Sequence, residues 1–192
     1  MLRIISDESV SLPIGGTVPS GIQKAVEVFV GYLLLDVWIG NADRHHENWG
    51  IVRNKAVPTT SETVHLASTT SETVHLAPTY DHASSLGRDL CNSQRQKRLV
   101  EAYANKCFSA FYGSVDDKKP LKTVDVFDCA APRYPNAAHI WLKRLEGISK
   151  ANILDILNRI PNTRISPIAA NFAQKILEFN HHRLLTLRKT LP

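Results

Sequence analysis

The sequence predicts an α+β fold that is predominantly helical, with one small β-hairpin near its front. Three observations carry that prediction. The stretch from Ile22 to Ile39 is almost uninterruptedly apolar, short alternating segments flank a ten-residue repeat, and helical periodicity dominates everything after Asp81.

Residues 1–21 show little periodicity and contain Pro13, Gly15, Gly16, Pro19 and Gly21, so they read as a short strand or linker followed by a loop. From Ile22 to Ile39 apolar residues lie nearly all round the helical wheel, which predicts a helix buried on most faces. Gly40-Asn41 supplies the stop. Lys24, Glu27 and Asp36 interrupt the stretch. A charge near the centre of a bilayer costs about 3 kcal/mol, so a helix of a soluble protein is the expectation rather than a membrane span. Ala42 to Trp49 forms a polar loop, and Gly50-Ile51-Val52-Arg53 reads as a short strand.

A duplication follows: TTSETVHLAS at 59–68 is repeated at once as TTSETVHLAP at 69–78. Solenoids need at least three copies to bury a continuous core, so two copies mark a local event. Alternation across Thr73 to Ala77 suits a strand pairing back on Ile51-Val52. The first copy is expected to bulge out as a loop, because an added strand would need a partner. Beyond Asp81 the helix candidates are Ser93–Cys107, Thr123–Ala131, Asn136–Gly147, Ser149–Ile160 and Ser166–Leu187. Asn136, Ser149 and Ser166 are the expected N-caps, and Pro167 sits at a first helical position. Pro120, Pro135 and Pro161 punctuate the gaps.

The chain of 192 residues is 43% hydrophobic, enough for one domain with a sizeable core. Its formal charge of +5 suits an anionic ligand such as a nucleotide. The densest basic run, Arg95, Lys97 and Arg98, is short and reads as a solvated helix face. Cys91, Cys107 and Cys129 have no CxxC spacing, and any disulfide would leave one of them over. That pattern points to a reducing compartment, hence a cytoplasmic location. The N-terminal residues lack a basic region followed by an apolar stretch, so no signal peptide is expected.

Chemistry concentrates in Gly40-Asn41-Ala42-Asp43-Arg44-His45-His46-Glu47-Asn48. Phosphoryl transfer needs a carboxylate to orient or deprotonate the attacking hydroxyl, and oxygen ligands to hold Mg²⁺ against the nucleotide phosphates. Protein kinases supply these from an Asp followed five positions later by an Asn, and from a second Asp beyond a hairpin. Asp43 and Asn48 have that separation, and Asp81, in Leu76-Ala77-Pro78-Thr79-Tyr80-Asp81-His82-Ala83-Ser84-Ser85, is the second carboxylate.

These two segments, in this order, resemble the catalytic and metal-binding segments of HipA-like serine/threonine kinases. Asp-Arg-His-x-x-Asn is also similar to the catalytic loop of phosphatidylinositol-kinase-related enzymes. The likeness extends over roughly residues 22–190. It implies a kinase-like C-terminal lobe, with 22–192 as a HipA-like kinase C-terminal domain and 1–21 as a linker or the remnant of an N-terminal lobe. It further implies Asp43 as catalytic base, Asn48 and Asp81 as ligands of Mg²⁺ and of the nucleotide it carries, ATP as phosphoryl donor, and Arg44 and His45 in support. The expected partners are a protein substrate or, as in toxin–antitoxin pairs, an antitoxin-like protein, with nucleic acid engaged only indirectly. HipA-like kinases cover the nucleotide with an N-terminal lobe of sheet that contributes a phosphate-contacting lysine. About 21 residues precede the first long helix here, so full activity is expected to need such a lobe from elsewhere. The alternative from another class is a non-catalytic pseudokinase remnant serving as a protein-interaction module.

Competing readings attach to the same residues. His45 and His46 with Asp43 could form a His-Asp metal cluster, but no further ligands stand at suitable spacing, and His45 is expected to fix the loop by hydrogen bonding. Arg44 reads equally as a surface arginine or as the partner of a carboxylate or phosphate. Ser84-Ser85 reads as a turn cap, His181-His182 as solvated or half-buried, and Trp38, Trp49 and Trp141 as core.

Overall fold

The computed structural model describes residues 5–55 and 72–191. Its centre is helix α1, Ala25–Ile39, whose buried residues include Val26, Phe29, Val30, Leu33 and Val37. Burial on nearly every face is the consequence of the apolar sequence, each such side chain contributing roughly 1.5–3 kcal/mol. The helix begins three residues later than the apolar stretch, because Lys24 is extended and Glu27 turns its carboxylate back onto the Gln23 and Lys24 amides.

Strands β1 (Val10–Ser11), β2 (Ile51–Lys55) and β3 (Glu72–Leu76) form one sheet in the order β1-β3-β2. The 73–77 segment pairs back on Ile51-Val52 as expected, in a register that sets Ile51 opposite Leu76 and Val52 opposite His75. The parallel strand β1 pairs Val10 with Val74, and His75 Nδ1 donates to the Leu12 carbonyl at 3.0 Å. The first repeat copy, 59–68, lies outside the described residues.

Six further α-helices complete the described chain: α2 (Asn92–Lys97), α3 (Val100–Ala104), α4 (Thr123–Ala130), α5 (Pro135–Glu146), α6 (Lys150–Asn158) and α7 (Pro167–Leu187). Ser149 and Ser166 cap α6 and α7 as expected, each accepting from the amide three residues on. Two expectations need correction. Asn136 is not an N-cap, because Pro135 occupies the first position of α5 and Tyr134 precedes it. The single helix expected over Ser93–Cys107 is broken at Arg98 and Leu99, both extended. The break lets Val100, Tyr103, Ala104 and Cys107 turn inward while Leu99 stays 71% exposed.

Helix α1 packs against α4, α5 and α7. Two smaller clusters flank it, one joining Tyr103 and Cys107 to Phe172 and Ile176, the other joining Ile153 and Leu157 to Ala173 and Leu177. Helix α7 contributes to both and so braces the α1 C-terminus from outside. Among the described residues no helix is long and apolar enough to cross a membrane.

The α1–α5 contact depends on Gly31. A Cβ there would lie 2.5 Å from Trp141 Cε2, and that ring is held by its Nε1–H donating to the Glu27 carbonyl at 2.8 Å. Gly31→Ala is therefore expected to destabilise the fold by about 1–3 kcal/mol through overpacking, despite alanine's better helix propensity. Urea unfolding measures this; a variant at least as stable as the parent would contradict the packing.

Candidate active site

The site begins at the end of α1. Gly40 adopts the left-handed conformation, φ 63° and ψ 44°, and donates to Val37 O, while the Asn41 amide reaches back to Asp36 O at 2.8 Å. These two bonds form the Schellman arrangement that satisfies the last carbonyls of a helix. A Cβ on Gly40 would also stand 3.3 Å from Ile176 on α7, so the turn is tight as well as left-handed. It throws Asn41 and the following loop back across the helix end.

Asp36 receives that loop. The residue is 2% exposed, and its carboxylate accepts from Asn41 Nδ2 at 2.8 Å and from Arg44 Nε and Nη2, both at 2.8 Å. Arg44 is itself 1% exposed, so the surface reading of this residue is corrected and the carboxylate partner it needs is supplied from within the chain. The remaining guanidinium hydrogens are used as well. Nη1 donates to the Asn48 and Tyr80 carbonyls, and Nη2 lies 3.2 Å from Thr79 Oγ1 and 3.3 Å from His82 Nδ1. One buried cation thus joins helix α1, the 41–48 loop and the 79–82 segment.

Within the loop, Asn48 is buried and its Nδ2 donates to the Asp43 carbonyl at 2.6 Å. Because that carbonyl can only accept, the Asn48 amide oxygen is the free end of the side chain, and no protein donor reaches it among the described residues. The Asp43 amide donates to Asn41 Oδ1 at 3.1 Å, and Asp43 Oδ2 accepts from Ser84 Oγ at 3.3 Å. The Asp43 side chain is otherwise 45% exposed. His45 Nδ1 accepts from the Glu47 amide at 3.2 Å, so the proton sits on Nε2, 3.7 Å from Asp43 Oδ1. His45 therefore fixes the loop by hydrogen bonding, as expected of it.

The second segment is laid against the first. The Ala42 amide donates to the Ser84 carbonyl at 3.0 Å, and Tyr80 Oη donates to the Glu47 carbonyl at 2.7 Å. A guanidinium has only donors, so His82 Nδ1 accepts from Arg44 and Nε2–H points to Thr79 Oγ1 at 3.1 Å. Burial, and then the Arg44 charge, hold His82 below the usual histidine range, in keeping with that neutral tautomer. Asp81 stands in the left-handed region at φ 52°, exposed, and its carboxylate makes no hydrogen bond or ion pair among the described residues. Ser85 Oγ closes a turn on His82 O at 2.7 Å, matching the turn-cap reading.

The structure thus brings the Asp43–Asn48 loop and the Asp81 turn together, although no direct bond joins Asp81 to Asp43 or Asn48. Sequence reasoning passed over Asp36, Asn41, Thr79 and His82. A signal for Asp36 was present: a lone carboxylate in the middle of an apolar helix must be paired when buried. For Mg²⁺ the donor set is suitable in kind, since the Asn48 amide oxygen and the Asp81 carboxylate are hard oxygen ligands without protein partners. Among the described residues no group of three or more His, Cys, Asp or Glu side chains could hold a metal by itself. Any ion here would complete its shell from phosphates and water, the habit of Mg²⁺ at nucleotides.

Beside Asp43 opens a cavity of about 380 Å³ lined by Ala42, Ser84, Arg88, Asp89, Arg98, Tyr103, Lys106 and Cys107. Burial pushes the Cys107 thiol up to about 11, and its Sγ lies 3.5 Å from the Gly40 carbonyl, so it serves as wall rather than nucleophile. The chain matches no protein-family model, no curated protein and no solved structure in the comparisons made.

Removing the Asp36 charge leaves Arg44 buried without compensation. Asp36→Asn is expected to cost about 3–5 kcal/mol in urea unfolding. A cost below about 1 kcal/mol, the value of a surface pair, would contradict the buried-pair geometry.

Proposed function

We propose that residues 22–192 are the C-terminal lobe of a HipA-like kinase that transfers the γ-phosphoryl group of Mg²⁺-ATP to a serine or threonine hydroxyl of a protein. The observation that carries this reading is Arg44, which ties the Asp43–Asn48 loop to the Thr79–Asp81 turn through its bonds to Asp36, Asn48 O, Tyr80 O and Thr79. That cation keeps the segments carrying Asp43 and Asp81, residues 38 positions apart, side by side, as a shared metal centre would require.

In this reading each group has a task suited to its surroundings. Asp43, half exposed and steadied by Ser84, aligns the acceptor hydroxyl and takes its proton. Asn48 and Asp81 offer oxygens to Mg²⁺, whose charge would offset that developing on the phosphates. Asn48 is held by its bond to Asp43 O, so the metal ligand and the base move together. Positioning and charge stabilisation supply nearly all of catalysis in phosphoryl transfer. A lobe covering the phosphates with a lysine therefore belongs in the complete enzyme, and the three-strand sheet described here is small beside such a lobe.

Transfer of labelled phosphate from ATP to a mixed protein substrate, with and without a separately supplied N-terminal lobe, tests the proposal. The isolated chain is expected to turn over slowly, since one lost stabilising donor in other enzymes already costs roughly 100- to 1,000-fold. Asp43→Asn should fold normally and lower the restored rate by about 100-fold or more. Transfer indifferent to Asp43→Asn would contradict the assignment. Failure of the chain to bind Mg²⁺-ATP, even with the lobe present, would favour the non-catalytic interaction module.

A further inference from the structure

The cavity beside Asp43 has a composition that the phosphoryl-transfer reading does not by itself require. Its lining contains three cations, Arg88, Arg98 and Lys106, against two carboxylates, Asp43 and Asp89. Both carboxylates are engaged, since Asp89 Oδ1 accepts from Tyr103 Oη at 2.8 Å and Asp43 Oδ2 from Ser84 Oγ at 3.3 Å. Arg98 lies over the Tyr103 ring, 5.7 Å from its centroid, which leaves its guanidinium edge for a ligand. Arg88 and Lys106 are exposed, and among the described residues their side chains form neither a hydrogen bond nor an ion pair. Unpaired cations gathered at the mouth of a cavity attract anions.

The lining also indicates which substrate enters. It includes Asp43 and its hydrogen-bond partner Ser84 but neither Asn48 nor Asp81. The cavity thus borders the base but not the residues assigned to the metal, which suits an acceptor better than a nucleotide. An acidic group close to the acceptor hydroxyl would suffer repulsion from Asp43, and the three cations offset it.

Resting on the kinase reading above, we infer that this pocket selects acceptors in which the serine or threonine is flanked by anionic groups, held by Arg88, Arg98 and Lys106. Glutamate, aspartate and phosphoserine share the required charge. The segment around the hydroxyl threads the cavity so that its anionic neighbour meets the cations while the hydroxyl reaches Asp43.

Fluorescence anisotropy of labelled peptides with the full chain tests this. The peptides carry one serine flanked by glutamate, by phosphoserine, by glutamine or by lysine. The glutamate peptide is expected to bind about tenfold more tightly than the glutamine peptide at low salt, and the preference should shrink as salt screens it. Tighter binding of the phosphoserine peptide than of the glutamate peptide would identify phosphate as the preferred anion and still uphold the pocket. The double variant Arg88→Glu with Lys106→Glu should abolish the preference for acidic flanks. Lys143→Glu with Arg164→Glu, the same change of charge at exposed positions outside the pocket, should retain it. Equal binding of the glutamate and glutamine peptides, or equal loss in both double variants, overturns the inference. Mg²⁺-ATP binding is measured alongside. Nucleotide binding without acidic preference would overturn the pocket assignment and leave the kinase reading standing. Acidic preference that depends on Arg88 and Lys106, without nucleotide binding even when the N-terminal lobe is supplied, would uphold an anion-selective pocket and overturn the kinase reading instead.

Discussion

The ion pair between Asp36 and Arg44 is the constraint on which the candidate site depends. Both side chains are almost wholly buried, and burying two charges is favourable only when geometry and further hydrogen bonds repay the lost hydration. Here the two ions meet edge to edge, and the outer face of the guanidinium is satisfied by two backbone carbonyls, a hydroxyl and an imidazole. Those four acceptors come from segments more than 30 positions apart. A buried pair of this kind adds less to net stability than to uniqueness: other placements of the 79–82 segment would leave guanidinium hydrogens unpaired in the interior, which is costly.

The rest of the fold keeps that pair dry and the loop in place. Helix α1 is apolar all round because α4, α5 and α7 cover it, and its final turn is held by the Gly40 cap against Ile176. The sheet performs the corresponding task for the second segment. Leu76, wholly buried, ends β3 opposite Ile51, and Tyr32 Oη reaches the Ala77 carbonyl at 3.2 Å before the chain enters Pro78 to Asp81. The candidate groups for chemistry are an exposed Asp81 carboxylate, a half-exposed Asp43, and an Asn48 amide oxygen that no donor among the described residues reaches.

Much of this was legible from the residues in order. The end of α1 at Gly40-Asn41 follows from glycine's tolerance of positive φ, and the pairing of the 73–77 segment with Ile51-Val52 follows from its alternation. The candidate site was legible as two segments, because Asp-x4-Asn and a later Asp are local patterns. What joins them was not. Asp36 read only as a charge that interrupts an apolar helix, and Arg44 was equally consistent with a surface position, since pairing across the end of a helix has no local signature. The break at Arg98-Leu99 escaped for a related reason: both residues have adequate helix propensity, and tertiary burial of Val100 and Tyr103 overrides it. The pairing of β1 with β3 joins positions 64 apart and could not be anticipated from the two-residue strand alone.

In the proposed centre Asn48 and Asp81 share one divalent ion and Arg44 holds their two segments together. Electron paramagnetic resonance of Mn²⁺, used as a Mg²⁺ substitute in the presence of ATP, tests it most directly. Asp81→Asn is the informative variant, because asparagine tolerates the positive φ at this position and removes the carboxylate charge without straining the turn. One bound Mn²⁺ per chain is expected in the parent protein, retained in Asp43→Asn and weakened by about tenfold or more in Asp81→Asn. Mn²⁺ bound equally well by the parent and by Asp81→Asn would contradict the shared centre.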